Sequence, residues 1–132
     1  MIILSPKERD ERQELFLKKA SQLALKSDMQ HRHGCIIVDN RTDEIIATGF
    51  NRRATHLYHT FSSHAESEAL RKLKKSMDPL YLEMYVVRIG PESLGHPLKM
   101  SKPCEGCEKQ ILKSGIARVY YSWSPMDKTK YS

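Results

Sequence analysis

The chain has 132 residues, 39% of them hydrophobic and 29% charged, and carries a formal net charge of +6. That length suits one domain with a sizeable core, and the composition excludes a long disordered segment. No apolar run is long enough to span a membrane, and Met1-Ile2-Ile3-Leu4 is too short for a secretory signal, so a cytoplasmic protein is expected, with the nucleus as the second compartment.

Ser5-Pro6-Lys7-Glu8 reads as a helix start, with Ser5 as N-cap, Pro6 in the first turn and Glu8 closing a capping box. Phe16, Ala20, Leu23 and Ser27 follow at helical spacing, with Leu15 and Ala24 widening the stripe, so the spacing predicts a helix over about 5–28. After the polar stretch Gln30-His31-Arg32-His33, the run Gly34-Cys35-Ile36-Ile37-Val38 suits a buried strand. A turn at 39–43 leads to a second, antiparallel strand over 44–50. Residues 51–63 read as a polar loop carrying His56, Tyr58, His59 and Phe61. A helix starting at Ser62 or Ser63 keeps Ala65, Ala69, Leu70 and Leu73 on its apolar side, and Asp78-Pro79 closes it.

Leu82 to Ile89 is a third strand, and 90–102, with Pro91, Gly95 and Pro97, is a long loop. Cys104 to Ser114 forms a helix that Gly115 ends, and Ile116 to Tyr121 is a fourth strand. Residues 123–132 are a short polar tail with Trp123 as its large apolar anchor. The order α-β-β-α-β-α-β predicts a three-layer α/β/α domain: a mixed sheet of four to five strands with helices on both faces, its core at about 33–122.

Two motifs carry chemistry, and both open helices. His64-Ala65-Glu66 alone reads more simply as a helix cap, because Ser63-x-x-Glu66 has capping-box spacing. Pro103-Cys104-Glu105-Gly106-Cys107 alone fits a redox pair, half of a structural zinc site, or two buried thiols. With three cysteines and no secretory signal, metal or redox work is favoured over a disulfide framework. Together, His64, Cys104 and Cys107 offer three ligands to a tetrahedral Zn²⁺ and leave one position open, as a catalytic zinc requires. Cys35 and His33 are the residues able to close that position. The apolar neighbours Ile36, Ile37 and Val38 make Cys35 a core residue instead.

In this order the motifs resemble the signature of the zinc-dependent cytidine and deoxycytidylate deaminases, H-x-E…P-C-x-x-C. The resemblance runs from about Gly34 to Ser122 and includes Gly49-Phe50-Asn51 and Gly115-Ile116-Ala117-Arg118-Val119-Tyr120. It implies zinc as cofactor, Glu66 as the proton shuttle beside an activated water, the Ala65 N–H as a donor to the base carbonyl, and Asn51 as a sugar contact.

Relatives acting on free cytidine commonly carry Asn-x-Glu where this chain has Asn51-Arg52-Arg53. Arg forks match phosphate geometry, so the departure favours a pyrimidine nucleotide such as dCMP or CMP, with Arg52 or Arg53 near the phosphate. The basic balance agrees with an anionic partner. The second reading is a deaminase acting on cytosine or adenine in single-stranded DNA or RNA, with Tyr58 among the aromatic contacts. A third, from another class, is a non-catalytic zinc-stabilised binding module, which Glu66 argues against. Little chain follows Tyr121 to form a fifth strand, so a partner subunit is expected to cover that sheet edge in a homo-oligomer.

Overall fold

The computed structural model describes residues 1–56 and 59–124. Within these, the order is β1 (Ile2–Leu4), α1 (Glu11–Ala24), β2 (Arg32–Asp39), β3 (Glu44–Phe50), β4 (Arg52–His56), β5 (His59–Ser63), α2 (Ala65–Arg71), β6 (Leu82–Ile89), β7 (Leu98–Lys99), α3 (Glu105–Ser114) and β8 (Arg118–Ser122). Single 3-10 turns lie at Pro79–Tyr81 and Glu92–Leu94. None of the helices is long and apolar enough to cross a membrane.

The main sheet has the order β1-β8-β6-β2-β3, with β7 adding to β6 beyond the end of β8. β1, β8 and β6 run parallel, while β2 is antiparallel to both β6 and β3, which makes the sheet mixed. Strand alternation sorts the side chains into two cores. Cys35 and Ile37 of β2, with Met84 and Val86 of β6, join Ala65, Ala69 and Ile111 on the α2/α3 face. Ile36, Val38, Tyr85 and Val87 join Phe16, Leu17, Ala20 and Ala24 of α1 on the other face. Because both faces are covered, these strands read in sequence as continuous apolar runs. The expected three-layer architecture is therefore present.

Several local expectations are corrected. The first helix begins at Glu11, with Asp10 as N-cap and Gln13 completing the capping box. Ser5 to Glu8 is a turn instead, because Ile2–Leu4 are taken up as a strand beside β8 and the chain must turn from sheet edge to sheet face. Arg9 fastens that corner through Nε to the Leu4 carbonyl at 3.0 Å and through a terminal nitrogen to the Trp123 carbonyl at 2.7 Å. Leu15 points outward, while Leu17 is wholly buried in the stripe. α2 stops at Arg71, well before Pro79, and Asp78 caps the 3-10 turn at Pro79–Tyr81.

Two corrections concern strands. The segment read as a polar loop folds back as the β4–β5 ribbon, in register from Arg52↔Ser63 to His56↔His59. The edge of β8 assigned to a partner subunit is covered by β1 of the same chain, in register Ile2↔Tyr120 to Leu4↔Ser122. That removes the reason given for an oligomer.

Glycine permits the closest layer contacts. A Cβ on Gly49 would overlap the Ala65 carbonyl oxygen and lie 2.9 Å from the Ala69 nitrogen, so β3 holds α2 directly against the sheet. A Cβ on Gly34 would meet the Ala20 and Ala24 backbone of α1 in the same way.

Candidate metal centre and catalytic pocket

His64 is the N-cap of α2 and Cys104 the N-cap of α3, both with extended backbone and neither using its side chain as a cap. The capping-box reading of Ser63 is thereby corrected, since Ser63 ends β5 instead. The two cap side chains are left to meet, and Cys107, one turn into α3, joins them. Ser67 of α2 donates to Gln110 of α3 at 2.6 Å, tying the two helices one turn beyond the motifs.

The His64 Nδ1 lies 3.1 Å from the Cys107 Sγ and 3.6 Å from the Cys104 Sγ, and the three ligand atoms all fall within 4.8 Å of one another. Tetrahedral zinc with ordinary bond lengths sets nitrogen and sulfur about 3.5 Å apart. The donor set therefore fits zinc in number, type and spacing. Its electrostatics agree. Burial first, then the Glu66 carboxylate, push the Cys107 thiol far above its ordinary range. Acids crowded in this way hold either protons or a cation, and a bound metal deprotonates coordinating thiols.

Glu66 is 5% exposed and lines a cavity of about 380 Å³ together with Met29, Gln30, His31, His33, Asn51, His64 and Ala65. Burial raises its carboxyl pKa, opposed by a bond from its own backbone N–H and by His64 and Cys107. Ala65, part of the same wall, is fully buried. A larger groove of about 510 Å³, floored by Leu70, Leu73 and Met77, contains none of these groups, so volume alone does not locate the chemistry.

Asn51 ends β3 and is 8% exposed. Its Oδ1 accepts the His33 N–H at 2.8 Å and its Nδ2 donates to the His31 carbonyl at 2.5 Å, so it fixes the backbone of the cavity wall. Cys35 lies in the core on the α2/α3 side, its thiol pKa raised by burial and by Glu66 and Cys107. Among the described residues the metal-binding group is His64, Cys104 and Cys107, without Cys35 or His33.

Arg52 is engaged elsewhere than expected. Arg52 does not line the cavity. Its fork grips Glu68 through Nε at 3.2 Å and a terminal nitrogen at 2.6 Å, with the guanidinium over the Phe50 ring at 4.4 Å. The buried Glu68 carboxylate also takes Lys72 at 3.2 Å, and it claims Arg52 because an unpaired charge there would be costly. Arg53 sits opposite Ser62 in β4, and its side chain, like all of Tyr58, lies outside the described residues. Reasoning from sequence missed His31 and His33 as wall residues and Arg88 behind them. The available signal was two histidines in the short polar stretch leading into a central strand, which reads more simply as a connector.

The family model for the cytidine and deoxycytidylate deaminase zinc-binding region matches residues 10–123. A dCMP deaminase from the cyanophage S-TIM5, solved with dCMP and dUMP, is similar at 25% identity and TM-score 0.60, over 89% of this chain and 85% of that one. A mutant cytidine deaminase from Mycobacterium tuberculosis shares the fold at 17% identity and TM-score 0.54, over 84% of each chain. No curated protein is significantly similar to the chain in sequence. The family match spans nearly all of the domain and takes in His64, Glu66, Cys104 and Cys107, so this chain belongs to the cytidine and deoxycytidylate deaminases, hydrolytic enzymes with zinc as cofactor.

Proposed function

We propose that the protein deaminates cytosine to uracil in a pyrimidine mononucleotide such as dCMP. The observation that carries this is the buried Glu66 carboxylate on the wall of a small cavity beside the three-ligand zinc centre. A volume of about 380 Å³ lies in the range of small-molecule sites, roughly 300–1,000 Å³, and suits one nucleotide. The similarity to an enzyme solved with dCMP and dUMP supports a nucleotide substrate.

Zinc held by His64, Cys104 and Cys107 would supply a water acidic enough to attack near neutral pH. Glu66 takes the proton of that water and carries it to the ring nitrogen N3, so that C4 becomes tetrahedral. It then takes the proton of the new C4 hydroxyl and passes it to the amine, so that the C4–N bond breaks, ammonia leaves and the C4 carbonyl of uracil forms. A carboxyl whose pKa burial has raised is suited to both taking and giving the proton. The Ala65 N–H donates to the base carbonyl, and Asn51 offers its second amide hydrogen to the sugar.

The test is ammonia release by zinc-loaded protein from cytidine, deoxycytidine, CMP, dCMP and single-stranded DNA or RNA. Turnover of a monophosphate is expected, with Glu66→Ala retaining zinc and losing about a hundredfold to ten-thousandfold in rate. Turnover confined to oligonucleotides would overturn the mononucleotide reading. Full zinc content with no turnover of any cytosine compound would make the domain a zinc-stabilised binding module.

A further inference from the structure

Behind the cavity wall, against His31, stands a cation that the mechanism does not use. His33 of β2 and Arg88 of β6 are cross-strand partners. Alternation from Cys35 and Ile37, and from Met84 and Val86, puts both on the α2/α3 face, the side that holds the zinc centre. A terminal nitrogen of Arg88 lies 3.1 Å from the Nδ1 of His31, itself exposed on the cavity rim. A guanidinium has donors only, so Nδ1 must accept and the ring N–H of His31 is on Nε2. Arg88 thus sets the tautomer of a cavity-lining imidazole.

The charge behind this wall belongs to Arg88. His33 is pushed down to about 4, by burial first and then by Arg88, so it is neutral near pH 7. Among the described residues, the Nε of Arg88 is buried without a hydrogen-bond partner. An arginine held with an unused buried donor is costly and calls for an explanation, of which a binding role is one. Lys99 of β7 pairs with Arg88 in register on its other side and adds a second cation to this corner of the sheet. Arg52, by contrast, is committed to Glu68.

We propose that Arg88 and His31 form the phosphate-recognition pair of the cavity, Arg88 supplying the charge and orienting His31 as a donor. The pair selects a phosphate ester over the free nucleoside. This assignment rests on the deaminase reading and replaces Arg52 as the phosphate contact.

The test compares zinc-loaded full-length protein with Arg88→Gln, Arg88→Lys and His31→Gln on dCMP, deoxycytidine and a short single-stranded oligodeoxynucleotide. In Arg88→Gln, kcat/KM for dCMP should fall about tenfold to a hundredfold, mainly through KM, with deoxycytidine unchanged within about twofold. Arg88→Lys should recover part of the loss, and His31→Gln should show a smaller fall in the same direction. Equal losses on dCMP and deoxycytidine, or no loss on dCMP, would overturn the pair. If the wild type turns over the oligonucleotide but not dCMP, the same Arg88 dependence on the oligonucleotide would support the pair while moving the phosphate into a polymer.

If the wild type turns over no cytosine compound, the deaminase reading fails separately, and calorimetric titration of dCMP and deoxycytidine decides the pair. Tighter wild-type binding of dCMP that Arg88→Gln abolishes supports it. Equal binding of both compounds, or of both proteins, refutes it.

Discussion

Replacing Arg52 by Met tests whether this arginine serves the fold or the substrate. Glu68 is 5% exposed, and its carboxylate is held by both nitrogens of the Arg52 fork and by Lys72 at 3.2 Å. A hydrogen bond to a charged group contributes about 1.5–3 kcal/mol, and stripping one partner from a buried pair costs about 3–5 kcal/mol. Two features reduce the loss here: the Arg52 side chain is 47% exposed, and Lys72 remains. We therefore expect Arg52→Met to destabilise the zinc-loaded protein by about 2 kcal/mol, a fall in Tm of about 6 °C for a domain of this size.

Met keeps an apolar stem over Phe50, so the change reports charge more than packing. Urea unfolding gives the number, and a double-mutant cycle with Glu68→Gln should return a coupling of about 1–2 kcal/mol. The KM for dCMP should stay within about twofold of wild type. A stability within about 0.5 kcal/mol of wild type, combined with a KM rise for dCMP but not deoxycytidine, would refute this reasoning and return Arg52 to the phosphate.

Because His33 holds a pKa of about 4 against an ordinary 6.5, the unfolded chain takes up a proton that the folded chain refuses as pH falls below 6.5. Its contribution is complete above pH 6.5 and is lost toward pH 4, so from pH 7 to pH 5 the wild type should lose about 2 kcal/mol more than His33→Gln in parallel urea titrations. Parallel pH slopes for the two proteins would count against it. Gly49→Ala forces a Cβ onto the Ala65 and Ala69 backbone and so moves α2, which carries Glu66 and follows His64. It should cost about 1–3 kcal/mol in stability and about a hundredfold in kcat, and a variant with wild-type values of both would refute the close-contact argument.

The candidate site residues are legible because their chemistry is local. His-x-Glu and Cys-x-x-Cys place their groups within one helical turn, and each motif sits at a helix start. The buried strands were legible for a similar reason: runs such as Ile36-Ile37-Val38 and Met84-Tyr85-Val86-Val87 are apolar on both faces. The first helix was misplaced because two capping boxes compete within a few residues. Local propensity cannot tell that Ile2–Leu4 pair with β8, and it is this pairing that makes Asp10 the cap and Ser5 part of a turn.

What the amino-acid sequence determined by itself was the set of candidate groups: one imidazole, two thiols, one carboxylate, and the two helices that carry them. Only the tertiary structure decided what the neighbouring charges do. Arg52 stands next to Asn51 in the chain yet is held by Glu68 from α2, whereas Arg88, distant in sequence and unremarked there, stands across from His33 and against His31 at the cavity. A cation's role depends on which buried acceptor or donor lies within about 3 Å of it, and sheet pairing and helix packing set that distance rather than chain spacing.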